Sequence, residues 1–463
     1  MNFKSRHPRP KSSQARSSAQ NLVSGRPAIR MKEAISPLVI DVQELRVGMF
    51  VHLDVGWMAH PFPLSSFKLT TPDQIATIRS LGLPRVRWSP DKSDPPPAAT
   101  PLGESPAAQA PAVAPAAPAE SPEVAERRRL REALAAERAS LAVCERQFAE
   151  ATKACRMTLE LVLTKPQQAR ENTEALSRAF VDKMLSAQDL CIRLLSDGIG
   201  DKASMHSVNV AVISLLMGKT FGLSQAEMMD LGVGAMLHDI GKIELPDRVR
   251  HREEHFTTAE TQFYQEHVTH GVALAKKMEL QPGASLVIAQ HHEHADGSGF
   301  PLKLNSDRMT TAARIVSLVN RYDNLCNPHV PSRALTPHEA LSTLFAQSKA
   351  KFDTAILGAF IRMMGVYPPG STVQLTDDRY AMVVSVNSTR PLKPRVLVHD
   401  PKVPRDEALM LDLEQTPRLG IRRSLKPQQL PTASLIYLSP RARVAYFFEP
   451  EQVPETADAE AVA

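Results

Sequence analysis

His206, then His238-Asp239, then His267, then His291-His292 follow one another in a single stretch of the chain. Two adjacent metal ions bridged by water make a phosphoester-cleaving centre, and few other sites call for so many inward-facing histidines. Ten of the fifteen histidines lie between His206 and His329, which points to one site rather than scattered surface imidazoles.

The positions of these residues along their elements sharpen the reading. On a helix predicted to start near Ala203, His206 shares a face with Val210, Ile213 and Met217, so its imidazole points inward. His267 repeats this with Gly271, Leu274 and Met278. One inward histidine is usually a hydrogen-bonded core residue, whereas two call for an explanation. Neighbours on a helix diverge by about 100°. His238 and Asp239 therefore serve one centre only near a helix end or around two ions, and Gly241 supplies an end. A carboxylate can bridge two ions where an imidazole cannot, which makes Asp239 the expected bridge and His238 a ligand to one ion. Lys242, one turn on, would place a fixed charge beside phosphate oxygens. His291-His292 closes the apolar run at 284–289, and each can take a different ion. The following Asp296-Gly297-Ser298-Gly299-Phe300-Pro301 is a loop by its Gly and Pro content, and His294 is expected to be a solvated neighbour.

Composition sets the elements that must hold this site. The chain has 463 residues, 43% of them hydrophobic, enough for several domains. Residues 1–33 form a basic tail expected to be disordered: its first 32 residues carry eight Lys and Arg and no acid, so the rest of the chain is net −3 against +5 overall. Nucleic acid is not an expected partner. Residues 34–92 alternate apolar and polar positions, as in Leu38-Val39-Ile40-Asp41-Val42, with a helical run around Ile75 to Leu81, and read as a small β-rich domain. Residues 93–122 are a Pro/Ala linker. Residues 123–198 read as a long amphipathic helix and helical lead-in, with Leu130, Leu134, Leu141, Cys144, Phe148, Ala151 and Cys155 on one stripe and Glu137 interrupting it. That stripe packs either on its own chain or on a second copy through residues 123–162. Residues 199–365 are expected to be all helical, 366–450 a β-rich module with strands such as Met382-Val383-Val384-Ser385-Val386, and 451–463 a disordered tail. Four cysteines without a CxxC spacing fit a reducing compartment, with the cytoplasm as default. No apolar run reaches 18 residues, so a membrane span is not expected.

Taken together, His206, His238-Asp239-Ile240-Gly241-Lys242, His267, His291-His292-Glu293 and Gly299-Phe300-Pro301 resemble the HD-GYP family of bacterial cyclic di-GMP phosphodiesterases, over roughly residues 190–345. Residues 34–92 resemble the small domain that often precedes it. The resemblance implies a multidomain chain with a central all-α HD-type domain between β-rich N- and C-terminal modules. It also implies a centre of two divalent ions, iron or manganese, and cyclic di-GMP as substrate. Carried onto this sequence, the ligands are His206, His238, Asp239, His267, His291, His292 and Asn320; Asp239 and Lys242 are catalytic; Asp296, Gly299, Phe300 and Pro301 contact substrate.

The chain departs from the family pattern at several positions. Phe300 stands where the family has Tyr, and Asn320 where it has a ligating Asp, with Asp323 one turn on as a partial substitute. Lys202 replaces a Glu that holds a third ion in some members, which limits the expected count to two. The family's basic segment is not recognisable at 326–333, nor its Lys-Pro-Gly turn around 252–254. Two readings follow: a two-metal phosphodiesterase, and a module with a weakened centre that binds cyclic di-GMP or a protein.

Overall fold

The computed structural model describes residues 38–53, 66–94, 122–196, 200–251, 255–408 and 410–451. The basic tail, nearly all of the Pro/Ala linker, the C-terminal tail beyond Glu451 and the 252–254 turn lie outside them. The N-terminal unit runs β1 (Leu38–Asp41), β2 (Phe50–His52), β3 (Ser66–Lys68), α1 (Pro72–Ser80) and β4 (Arg85–Ser89), in an antiparallel sheet of order β1-β4-β2-β3. Thr71 and Gln74 close α1 with a reciprocal cap, satisfying backbone donors that the first turn leaves over. Val42, Met49, Val51, Leu69, Ile78 and Val86 give this unit a core of its own.

The long stripe read from sequence lies on α2 (Pro122–Leu161), and its second half is covered by the same chain. Cys144, Phe148, Ala151 and Cys155 are buried, with Phe148 edge-on to Phe447 at 6.3 Å. Leu130, at the other end, is exposed. Glu137 interrupts the stripe because it lies 2.5 Å from the buried Arg193, which also meets Glu449 at 2.8 Å. Next come α3 (Pro166–Ser186) and a strand, β5 (Leu190–Leu194), where the sequence was read as a helical lead-in. All five residues of β5 are buried, so the strand carries no alternation, the pattern by which a half-exposed strand is found.

The central helices are α4 (Lys202–Thr220), α5 (Gln225–Leu237), α6 (Thr258–Lys277), α7 (Pro282–Gln290), α8 (Thr311–Cys326), α9 (Pro337–Gln347) and α10 (Thr354–Met364). Helix α4 is buried almost all round, as suits the centre of a bundle. Helices α5 and α7 approach closely at Gly234, where a Cβ would meet Val287 Cβ at 2.5 Å. The chain ends with β6 (Thr372–Leu375), β7 (Tyr380–Asn387), β8 (Arg395–Val398), β9 (Met410–Asp412), β10 (Ile421–Leu425), α11 (Thr432–Leu438) and β11 (Tyr446–Pro450). These strands form one sheet with β5, in the order β10-β6-β7-β5-β11, with β8 also on β7 and β9 on β8. The expected all-helical centre is thus tied to the C-terminal strands through β5, and Tyr446, Phe447 and Phe448 belong to the same core as α4 and α5. Among the described residues, no helix is long and apolar enough to cross a membrane.

Candidate metal centre

Helix ends bring the site together. Helix α5 stops at Leu237, with His238 as its cap and Asp239 starting a tight turn over Ile240–Glu244. Helix α7 stops at Gln290 and is capped by His291. The last carbonyls of a helix lack amide partners, and here imidazoles take them: Nδ1 of His238 donates to Ala235 O at 2.7 Å, and Nδ1 of His291 to Ile288 O at 2.8 Å. On α6, Nδ1 of His267 donates to Tyr264 O at 2.5 Å. A carbonyl can only accept, so in each neutral ring the proton is on Nδ1 and the lone pair on Nε2.

Those lone pairs converge on Asp239, and they divide between its two oxygens. Oδ2 lies 3.4 Å from His238 Nε2 and 3.7 Å from His206 Nε2. Oδ1 lies 3.5 Å from His291 Nε2 and 3.6 Å from His267 Nε2. Two donor sets result: His206, His238 and Asp239 on one side, and Asp239, His267, His291 and His292 on the other. Oδ1 of Asp239 and Nε2 of His292 are buried without a hydrogen-bond partner. Clustered lone pairs with no hydrogen between them repel unless a cation lies among them, so this donor set fits divalent ions.

His206 is oriented differently. Its Nδ1 faces Asp323 Oδ2 at 2.6 Å, a carboxylate–histidine arrangement that fixes the ring and makes Nε2 a better donor. Asp323 therefore serves His206 rather than standing in for Asn320. The Asn320 side-chain oxygen accepts from Asn324 Nδ2 at 2.6 Å, and the residue lines the cavity over the histidines.

Charge in the site is set by burial and by Lys242. Burial alone would raise the Asp239 carboxyl, but Lys242 at 2.6 Å and His238 hold it well below the usual carboxylate range. Burial would lower Lys242, yet Asp239 and Tyr264 raise it, so it stays charged. The expected phosphate contact is thus in the first place a partner of the Asp239 carboxylate. Burial pushes His267 down to about 3, with the neighbouring His291 adding to it against Asp239, and lowers His238 and His292 as well. Neutral imidazoles are the form that ligates metal.

Gly241 has a packing reason: a Cβ there would lie 1.9 Å from the His267 carbonyl oxygen, so only glycine lets the Asp239 turn rest on α6. The Gly299 loop is similar, since a Cβ would meet His294 N at 2.4 Å. Phe300 stacks on His292 with ring centroids 4.5 Å apart and faces the cavity. Asp296 accepts from Ser298 N and Oγ at 2.9 and 2.6 Å, so Asp296 and Gly299 build the loop, and Pro301 is exposed on it. Sequence reasoning assigned no role to Glu293, which is buried and clamps the loop by accepting from Leu302 N at 2.6 Å and Leu304 N at 2.8 Å. It also missed Asn209 and Asn327, which bind the Asp323 carboxylate. An acidic residue directly after the His291-His292 pair could have signalled Glu293; nothing in the pattern signals the two asparagines.

The cavity over the histidines has a volume of about 1170 Å³. Lys202, Lys242, Arg250, Arg321, Arg333 and Lys351 line it, against the carboxylates of Asp201 and Asp239. Although 326–333 does not show the basic segment expected there, Arg333 and His329 from it reach the cavity. His329 stacks on His251 at 4.2 Å and lies 3.1 Å from Lys202 Nζ.

A helical bundle that gathers a His-Asp pair and further histidines from four helices around one carboxylate is an HD-type domain. Comparison with known families agrees: residues 183–356 match the HD domain, and residues 38–173 match a domain of unknown function, DUF3391. The chain thus carries an HD domain with a DUF3391 domain before it. It is 27% identical over 365 residues to the cyclic di-GMP phosphodiesterase PA4108 of Pseudomonas aeruginosa, covering 78% of this chain and 84% of that one. It is 23% identical to the cyclic di-GMP phosphodiesterase PdeB of Borreliella burgdorferi, over 42% of this chain and 51% of that one. Among solved structures, an HDG"Y"P protein from Bdellovibrio bacteriovorus aligns at a TM-score of 0.39 and 12% identity, over 70% of this chain and 98% of that one.

Proposed function

We propose that this chain is a cyclic di-GMP phosphodiesterase that works with two divalent ions, iron or manganese, one on each side of Asp239. The observation that carries this is the division of Asp239: each carboxylate oxygen faces its own pair of histidine Nε2 atoms. His206 and His238 would hold one ion, and His267, His291 and His292 the other, with Asp239 shared. When bound, such a pair supplies an activated water and Lewis-acid stabilisation of the phosphoryl oxygens.

The remaining work falls to the chain's own side chains. Lys242 keeps Asp239 ionised and placed. Phe300 covers the His292 ring and offers an apolar face to a base or ribose. The cationic wall suits a substrate with more than one phosphate, and the cavity exceeds the roughly 300–1,000 Å³ of a common small-molecule pocket, which favours a dinucleotide. Asn320 lines the cavity as a neutral oxygen in place of a carboxylate, lowering the ligand charge by one.

The β-rich segments at the two ends are read as modules flanking the helical domain, the second sharing its core. The four cysteines are free and buried, which accords with a cytoplasmic setting. Pairing with a second copy would use the start of α2, where Val124 and Leu130 are exposed; sedimentation of the full chain checks it. The function itself is tested by incubating the metal-free chain with cyclic di-GMP before and after adding Mn(II) and separating the products. The proposal expects linear dinucleotide or GMP only with the metal. Equal turnover in EDTA would refute it.

A further inference from the structure

The match to the HD domain ends at residue 356, but the support of His206 continues to β11, the last strand among the described residues. Asp323, whose Oδ2 faces His206 Nδ1, is 1% exposed. Its Oδ1 accepts from Asn209 Nδ2 and from Asn327 Nδ2, each at 2.9 Å. Both amides also donate to the same backbone oxygen, Val444 O, again at 2.9 Å each. In return Val444 N donates to Asn327 Oδ1 at 2.9 Å, and Tyr446 N to Asn209 Oδ1 at 3.0 Å. A backbone N–H can only donate, so it fixes which way each carboxamide points. Both hydrogens of each amide group are then used, one on Asp323 and one on the Val444 carbonyl just before β11. Such a fully satisfied buried network has one low-energy arrangement, and moving any member leaves another unpaired.

We propose that the backbone of residues 444–446 is a positioning part of the metal centre: through Asn209 and Asn327 it sets the Asp323 carboxylate that orients His206. The proposal rests on the two-ion reading above and adds to it that the ion on the His206–His238 side depends on the C-terminal strand, while the ion on the His267–His291 side does not. An apolar filler would hold the strand against α4 and α8 equally well. Two asparagines converging on a carboxylate that in turn holds a ligating imidazole do what a filler cannot. Outer partners of ligating histidines commonly govern metal affinity by about 10-fold to 100-fold.

The test is calorimetric titration of the metal-free full chain with Mn(II). The wild type is expected to bind two ions. Asn327→Leu is expected to weaken one of them about tenfold and leave the other unchanged. Tyr322→Phe is the control: it removes the 3.2 Å contact between the Tyr322 and Tyr446 hydroxyls, which joins the same helix and strand without touching Asp323, and should keep both affinities. Equal losses in Asn327→Leu and Tyr322→Phe, or two unchanged affinities in Asn327→Leu, overturn the proposal. A measurement without substitution guards against a variant that does not fold. Coupling is reciprocal, so the Val444 and Tyr446 amide hydrogens must exchange more slowly once Mn(II) is bound, and unchanged exchange there overturns the proposal. A wild type that binds fewer than two ions brings down the two-ion reading and this inference with it, before any variant is made.

Discussion

Lys242 Nζ lies 2.6 Å from Asp239 Oδ2, and both side chains are largely buried beside the histidines. In the absence of metal, this lysine is the cation that keeps the Asp239 carboxylate charged inside the fold. Removing one partner of a buried pair leaves the other uncompensated, at a cost of about 3 kcal/mol. Lys242→Ala should therefore melt at a lower temperature than wild type when metal-free and regain most of the difference in Mn(II). Thermal melts with and without the ion check this; an equal loss in both conditions would mean that Lys242 does not serve the carboxylate.

Asn320→Asp adds a negative charge to the cavity wall while keeping an acceptor for Asn324 Nδ2. A further carboxylate strengthens the hold on a divalent ion. Turnover at limiting Mn(II) should be preserved or raised, and the Mn(II) concentration for half-maximal activity should fall. A large loss of activity would show that the neutral amide is required.

Phe300 holds the ring of His292 by stacking, with 21° between their planes. An aromatic pair of this kind contributes about 1 kcal/mol beyond its buried area. Phe300→Ala should lower kcat/KM roughly fivefold by that measure, whereas Phe300→Tyr, which keeps the ring, should stay near wild type. Steady-state kinetics of both variants separate the ring from the hydroxyl.

Acid should weaken the metal-free fold from a definite pH. Burial first, with the neighbouring His291 adding to it, takes His267 from its usual 6.5 to about 3, and burial lowers His238 and His292 too. Below about 6.5 the unfolded chain takes up protons that the folded one refuses, so stability falls as pH drops from about 6.5 towards 3. Asp239 acts in the same direction at lower pH, its contribution being full above its ordinary 3.8 and lost as pH falls through its lower folded value. The urea midpoint in EDTA should be lower at pH 5 than at pH 7. An equal or higher midpoint at pH 5 would contradict the buried neutral histidines.

The sequence was most readable where local pattern decides structure. His267 falls inward because helical periodicity puts it on the apolar face of α6, His206 faces the cavity from a helix that is buried almost all round, and His238-Asp239 fall at a helix end as Gly241 suggested. Strand β5 was not readable, because a strand buried on both faces has no alternation to find. Glu137 looked like a break in an apolar stripe, since its partner Arg193 lies 56 positions away in the chain and no local rule pairs them. Asn209, Asn327 and the Val444 carbonyl escaped for the same reason: apart from the bond of Asn327 to Asp323, four positions back, their bonds span from 114 to 237 residues.

The most direct test of the central claim is cyclic di-GMP turnover by the full chain reconstituted anaerobically with Fe(II) or Mn(II), run beside Asp239→Ala. The account predicts metal-dependent product in the wild type and none in the variant, because both ions lose their shared ligand at once. An Asp239→Ala chain as active as wild type would contradict it.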